Sequence, residues 1–431
     1  MPKPTLHLIA PYYSTLTSEW LHDGHTDRTH RFSRMMQAQG YPVIEYAAEG
    51  STSQAETKVA VMSAAEHAKF FPAMGPKQTR PCDSPNTQGF KAYDFRLTGE
   101  ICSRANPGDF ICHTYGDAHK ALVGLLPNFQ HIETGIGYSS GPFGAWRIFD
   151  SNAWRHYHWS KDALRNLKEK GTDRNYSWVI PNPHDPQDWP IGSGAQDTVV
   201  YFGRMDPDKG MNVISDIIRE HAKMVNEGLA KPLHFIFAGR GDFDQVIDRP
   251  TRRAPNPLHK DNGVKVTHLG PISQAHAGRF LGNARCLLAP TEYVEPLGNV
   301  ALEALFTGTP ALTSDHGGFT ETILHGVDGF RCKTLGDWLC AIEASRWLNR
   351  ARISERAVER FSTDVCGKMY DEAFQQIADL NGPGWYSRHS WRITVPKSDL
   401  APRLSELSCP VDFASMTPVS DPAELPAPPE G

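Results

Sequence analysis

The sequence predicts an α/β protein of doubly wound parallel sheets, and three observations predict it. In the second half of the chain, apolar runs end repeatedly in glycine turns. Residues 197–202 precede Gly203, residues 233–238 precede Gly239-Arg240-Gly241, and residues 284–290 precede the turn at Gly298. A fourth run, from Thr309, precedes Gly317-Gly318. Strand, tight turn and helix start form the repeating unit of such a sheet, whose ligands bind outside the carboxyl ends of its strands. The chain also opens as a Rossmann-like unit does: strand 5–10, polar loop 11–24, helix 26–39 stopped by Gly40, then strand 42–46. Finally, its 431 residues suffice for two domains of ordinary size.

The stretch Glu295-Pro-Leu-Gly-Asn-Val-Ala-Leu-Glu303 carries the most chemistry. A buried strand (284–290), a small turn through Leu297 and Gly298, and a helix beginning inside the interval make an anion site, because the first amides of a helix have no internal partner. The amides of Gly298 and Asn299 are expected to face a phosphate or a sugar hydroxyl. Glu295 would sit at the mouth and Glu303 deeper in the helix, where a carboxylate accepts paired bonds from vicinal hydroxyls. That chemistry suits a nucleotide sugar. At the end of the 197–202 strand, Gly203 permits a close turn past a ligand, and Arg204 and Lys209 supply two fixed cations for a departing diphosphate. Asp206 and Asp208 lie in a turn beside those cations and read as ion-pair partners, not as metal ligands.

Gly203-Arg204-x4-Lys209-Gly210, Glu295-x7-Glu303, Gly308-Thr-Pro310 and Gly317-Gly318-x2-Glu321 together resemble, in order and spacing, the donor-domain signature of the family 4 glycosyltransferases. These are retaining, nucleotide-sugar-dependent enzymes of the GT-B fold: two Rossmann-like doubly wound domains facing a cleft. The resemblance is specific across residues 197–361. It implies that Arg204 and Lys209 hold the donor diphosphate and Glu303 the ribose. Glu295 would touch the transferred sugar, with Gly203, Gly239, Leu297, Gly298 and Asn299 completing the donor site.

In the first half, residues 109–113 and 129–133 read as strands ending in His113 and Glu133, both expected in the interdomain cleft. Either side chain would orient the sugar or the acceptor, and His113 reads equally as a strand-end core histidine. Glu133 precedes a Gly-x-Gly turn and is assigned a catalytic role, because a carboxylate is costly as mere packing there. In the family a histidine often ends the second of these strands; here Glu133 stands in its place. Tyr138 is placed on the acceptor side with them. The spacing of Trp146, Phe149, Ala153 and Trp154 predicts a helix from about Phe143 that packs these aromatics into the core. Residues 135–157 also resemble a segment of glycosyltransferases encoded by phages and some bacteria, which implies hydroxymethylated DNA bases among the acceptors. The family's first loop often carries a glycine pair, whereas Gly24 stands alone among His22, Asp23, His25 and Asp27. These four lack metal-ligand spacing, so neither metal nor cofactor is expected, the nucleotide sugar being a cosubstrate.

The proline-rich stretch 179–190 is the expected linker, between an acceptor-binding domain (1–185) and a donor domain (191–364). A terminal helix and crossover (365–395) is expected to return to the first domain, with Trp385 and Trp391 docking it. Residues 399–431 hold six acids and one arginine, a net of -5 that equals the charge of the whole chain. The remainder is therefore near neutral and carries no overall bias toward nucleic acid. The tail from 396 is rich in Pro, Ser and Ala and reads as disordered. Eight scattered cysteines without a Cys-x2-Cys pair read as free thiols. With no apolar run of membrane-spanning length and no signal-peptide core at Met1-Pro-Lys-Pro, the expected location is the cytoplasm.

The sequence therefore predicts a retaining glycosyltransferase that moves a sugar from a UDP-glucose-like donor to a hydroxyl of a glycan, a small molecule or modified DNA. Two alternatives stand beside it: a same-fold sugar epimerase or phosphorylase, and a non-catalytic sugar-nucleotide-binding protein.

Overall fold

The computed structural model describes residues 3–17, 23–72, 87–140, 142–166, 176–194, 197–243 and 264–380. The chain divides into a compact unit, Met1–Phe374, and a second unit, Gln375–Gly431, described only through residue 380. The first unit contains two parallel sheets. One has seven strands, β1 (Leu6–Ile9), β2 (Val43–Ala48), β3 (Thr57–Met62), β4 (Phe110–His113), β5 (Gln130–Ile136), β6 (Trp146–Phe149) and β7 (Tyr176–Val179), in the order β3-β2-β1-β4-β5-β6-β7. The other has β8 (Thr198–Phe202), β9 (His234–Ala238), β10 (Lys265–His268), β11 (Cys286–Ala289), β12 (Ala311–Ser314) and β13 (Gly329–Cys332), in the order β10-β9-β8-β11-β12-β13. In each sheet the order reverses beside the first strand, between β1 and β4 and between β8 and β11. A crevice opens there at the carboxyl edge.

The helices of the first half are α1 (Gly24–Ala38), α2 (Ala64–Phe70), α3 (Gln88–Cys102), α4 (Ala121–Leu125) and α5 (Asn152–Asn166). Those of the second are α6 (Met211–Asn226), α7 (Gln274–Asn283), α8 (Asn299–Phe306), α9 (Phe319–Thr322), α10 (Leu335–Ala344) and α11 (Arg350–Phe361), followed by α12 (Thr363–Leu380). No helix among the described residues is long and apolar enough to cross a membrane.

Strand β8 shows why the second sheet is covered on both faces. Successive side chains alternate, so Val199 and Tyr201 pack against Ile214, Ile217 and Ile218 of α6, while Val200 and Phe202 pack with Leu281 of α7 and Ala301, Leu302 and Leu305 of α8. In the first half, Ile9, Tyr46 and Ile111 pack on Phe90, Tyr93 and Leu97 of α3. Local signals set the helix ends. Asp23 caps α1 by accepting from Thr26 N at 3.0 Å, and Thr334 and Asp337 form a reciprocal capping box at α10.

The helix expected from Phe143 is not there. Trp146 and Phe149 lie on β6, whose four residues are all buried, and α5 begins only at Asn152. The linker is pinned to the end of the second half: His184 N donates to Phe361 O at 2.9 Å and Thr363 N to His184 O at 3.0 Å. From there residues 363–374 of α12 lie on the first half. Tyr370 sets its ring edge-on to Phe32 at 5.1 Å, and Phe374 meets Phe110 at 5.6 Å. Each buried ring contributes about 2 kcal/mol. Asp371 accepts from Lys3 Nζ at 2.6 Å and from Tyr41 Oη at 2.8 Å. Trp385, Trp391 and the tail lie outside the described residues.

Candidate functional site

A cavity of about 600 Å³ lies between the carboxyl edges of the two sheets. The second sheet supplies one wall: Gly203, Arg204 and Lys209 follow β8, Gly239 and Arg240 follow β9, and Thr291, Tyr293 and Glu295 follow β11. Leu297, Gly298, Asn299 and Glu303 extend that wall along the start of α8. Thus every residue expected on the donor side lines one cavity.

The turns after β8 and β9 touch. Gly203 N donates to Ala238 O at 3.0 Å, and a Cβ on Gly239 would collide with the carbonyl oxygen of Gly203. Arg204 pairs with Asp206, so that turn acid serves as a partner for the cation. Lys209 Nζ lies 2.8 Å from Glu295 Oε2 and 2.5 Å from Tyr293 Oη, and Thr291 Oγ1 donates to the same Glu295 oxygen at 3.0 Å. Burial works against the Lys209 charge, but Glu295 and Tyr293 outweigh it and hold the ammonium pKa above its ordinary value. At the next turn, Gly298 is left-handed (φ 86°) and caps α8. The first bonds inside that helix, from Ala301 N and Leu302 N, both end on Gly298 O. The amides of Asn299 and Val300 consequently lie at its open, partly positive end. Glu303 follows one turn later. Burial pushes its carboxyl up to about 7, against the opposing field of Arg31, and His184 Nε2 lies 3.9 Å away.

The first-sheet wall differs from expectation. Glu133 is not at a strand end: β5 runs on to Ile136, and the carboxylate is fully buried behind the cavity. Its Oε1 accepts from Tyr138 Oη at 2.6 Å, and its Oε2 from the amides of Phe143 at 2.9 Å and Gly144 at 2.8 Å. Burial raises its pKa to about 7 despite these donors. Glu133 therefore clamps the loop between β5 and β6, and Tyr138 is committed to that clamp. His113 is likewise fully buried, with Nε2 2.8 Å from His131 Nδ1, and is a core histidine. None of the three lines the cavity.

The cavity is instead lined on that side by Tyr13, Asp23, His25, Asp27, Arg28, Tyr115 and Asp150. Arg28 is nearly buried, donates to Asp150 Oδ2 at 2.5 Å, to the Gly135 carbonyl, and to Asn182 Oδ1 at 3.1 Å. Asn182 in turn donates to Asn299 Oδ1 at 3.0 Å, which links the first wall to the start of α8 through the linker. His25 packs edge-on to Tyr115 at 4.9 Å, and burial lowers its pKa, which favours the neutral ring. One signal for this wall was present in the sequence. Arg28 and Arg31 share the buried face of α1 with Phe32 and Met35, a place where charges are retained only with partners.

Residues 196–344 match the family model described as glycosyl transferases group 1. The chain is 28% identical over 217 residues to the D-inositol 3-phosphate glycosyltransferase of Gordonia bronchialis, covering 47% of this chain and 46% of that protein. It spans less than half the length of this and similar curated relatives. Among solved structures, sucrose-phosphate synthase from Thermosynechococcus elongatus superposes with a TM-score of 0.59 at 15% identity, over 87% of this chain and 99% of that one. Anabaena Alr3699/HepE, solved in complex with UDP-glucose, superposes with a TM-score of 0.56 at 13% identity, over 87% and 100%. The fold is that of the GT-B glycosyltransferases, and residues 196–344 are similar to the glycosyl transferases group 1 family.

Proposed function

We propose that the chain is a nucleotide-sugar-dependent glycosyltransferase that transfers a sugar to an acceptor hydroxyl with retention and without a metal. One observation carries this reading: Arg204, Lys209, Glu295, Glu303 and the open end of α8 meet on a single wall of one cleft. A UDP-glucose-like donor fits that wall, with its diphosphate against Arg204, Lys209 and the α8 amides and its ribose hydroxyls on Glu303. As the bond from the anomeric carbon to the phosphate oxygen breaks, charge grows on that oxygen, and the two cations stabilise it. Lys209 then turns from Glu295 toward phosphate, and Glu295 accepts from sugar hydroxyls. The acceptor oxygen bonds to the anomeric carbon from the face that the diphosphate leaves, and its proton passes to the departing phosphate oxygen. No protein base is required, which agrees with a Glu133 withdrawn from the cleft. Neutral His25 lines the opposite wall, beside the space through which the acceptor would enter.

The same wall carries three acids, Asp23, Asp27 and Asp150, against one arginine, Arg28, which favours a neutral hydroxyl acceptor such as a glycan over a polyanion such as hydroxymethylated DNA. The test is to incubate the protein, in EDTA, with UDP-, GDP- and ADP-sugars. Each is offered alone, with sugars and glycans, or with hydroxymethylcytosine DNA, while nucleotide release and acceptor mass are followed. Release with a hexose gain on a glycan is expected. A gain on DNA would keep the transferase and overturn the acceptor preference. No turnover or binding of any donor would overturn the reading.

A further inference from the structure

The amide groups at the start of α5 are shared between the two halves. Helix α5 belongs to the first half, yet Asn152 N and Ala153 N donate to the two carboxylate oxygens of Glu321, on α9 of the second half, at 2.9 and 2.7 Å. Asn152 Nδ2 adds a third bond at 3.0 Å. The next amide, Trp154 N, donates to Ser151 Oγ at 3.1 Å, and Arg155 N closes on Ser151 O at 3.0 Å. Ser151 Oγ meanwhile donates to Pro296 O at 2.5 Å, on the turn between Glu295 and Gly298. A carboxylate at a helix N-terminus combines charge-assisted bonds with the favourable end of the helix dipole. Here that cap crosses the cleft.

Glu321 is also tied to the donor turn from behind. Gly318 N donates to Glu295 O at 2.7 Å, and Arg360 holds the α9 backbone through Glu321 O at 2.5 Å and Thr322 O at 3.2 Å. The donor turn, the Gly317-Gly318 loop and Glu321 therefore move as one block. The contact is partly solvent-exposed, so water replaces it readily when the halves separate.

We infer that Glu321 is a positioning residue that latches the two halves together over the donor, by capping α5 across the cleft. The inference rests on the transferase reading for its kinetic part alone. Two variants test it from opposite sides. Glu321→Ala removes the cap, and Asn152→Pro removes two of its three donors, the Asn152 N–H and Nδ2, at a position where proline suits a helix. Small-angle scattering without nucleotide should find both variants more expanded than the wild type, and saturating UDP should restore wild-type compactness. The donor KM should rise about fivefold, as the binding-competent fraction falls, with kcat within twofold. The double variant should be no worse than Glu321→Ala alone, and Glu321→Asp should recover part of the loss. Unchanged compactness in both variants overturns the latch. So does a raised KM without expansion, because Glu321 would then act on the donor directly. Should Glu321→Ala not fold, Asn152→Pro carries the test by itself. Expansion with no turnover by the wild type on any donor would keep the latch and reject the transferase reading.

Discussion

Lys209 Nζ, on the turn after β8, lies 2.8 Å from Glu295 Oε2, on the turn after β11. Those strands are neighbours at the point where the second sheet reverses its order, so the ion pair spans the crevice where such sheets bind ligands. On the proposed reading, replacing Lys209 by Ala removes a cation from the developing diphosphate charge, and kcat/KM should fall by about 10²–10³-fold. Thr291 still donates to Glu295, so thermal unfolding should shift only by the equivalent of about 1–2 kcal/mol. Unchanged turnover would remove Lys209 from the site.

If the donor ribose binds Glu303 as proposed, donor binding should be pH-dependent. With its pKa raised to about 7 by burial, the carboxyl is largely protonated at pH 6 and largely ionised at pH 8. On the proposed reading the ribose hydroxyls donate to the ionised form, so donor KM should drop as pH rises across that window. Glu303→Gln should flatten the profile and weaken binding several-fold. A variant with the wild-type pH profile would place the ribose elsewhere.

Glu133 should matter to stability and not to chemistry. Its folded pKa of about 7 exceeds the unfolded value, so the unfolded chain ionises first as pH rises from about 4.5 to 7. Stability is lost across that interval, by roughly 3 kcal/mol at most, and no further above it. Glu133→Gln keeps a carbonyl oxygen for the Phe143 and Gly144 amides. It should unfold at a higher temperature than the wild type at pH 8, with turnover within twofold. Glu133→Ala leaves those amides unpaired and should be destabilised at every pH. A large loss of kcat in the Gln variant, with stability intact, would restore Glu133 as a catalytic group.

Gly298 holds the start of α8 in a left-handed turn at φ 86°, and a Cβ there would strike the Phe319 ring. Gly298→Ala should cost about 1–3 kcal/mol in denaturant unfolding and raise donor KM through displacement of the Asn299 and Val300 amides. Wild-type stability and KM together would show that the turn is not strained in this way.

The donor wall was legible because its residues sit at fixed offsets from strand ends: Arg204 and Lys209 after one apolar run, Glu295 through Glu303 after another. The opposite wall was not, because its contacts join distant segments, as Arg28 with Asp150 and Asn182. Gly135 and Gly137 look like a turn that would leave Glu133 at a strand end, yet β5 continues to Ile136. Trp146, Phe149, Ala153 and Trp154 mimic helical spacing only because a four-residue strand is followed closely by a helix start. A short buried run does not distinguish strand from helix by periodicity.

Calorimetric titration of the wild type and Lys209→Ala with UDP, GDP and ADP in EDTA shows whether the Lys209 wall binds a nucleoside diphosphate. The predicted result is saturable binding of at least one of them, UDP first, weakened at least tenfold in the variant. Wild-type binding of none of the three, or equal binding by both proteins, would contradict it.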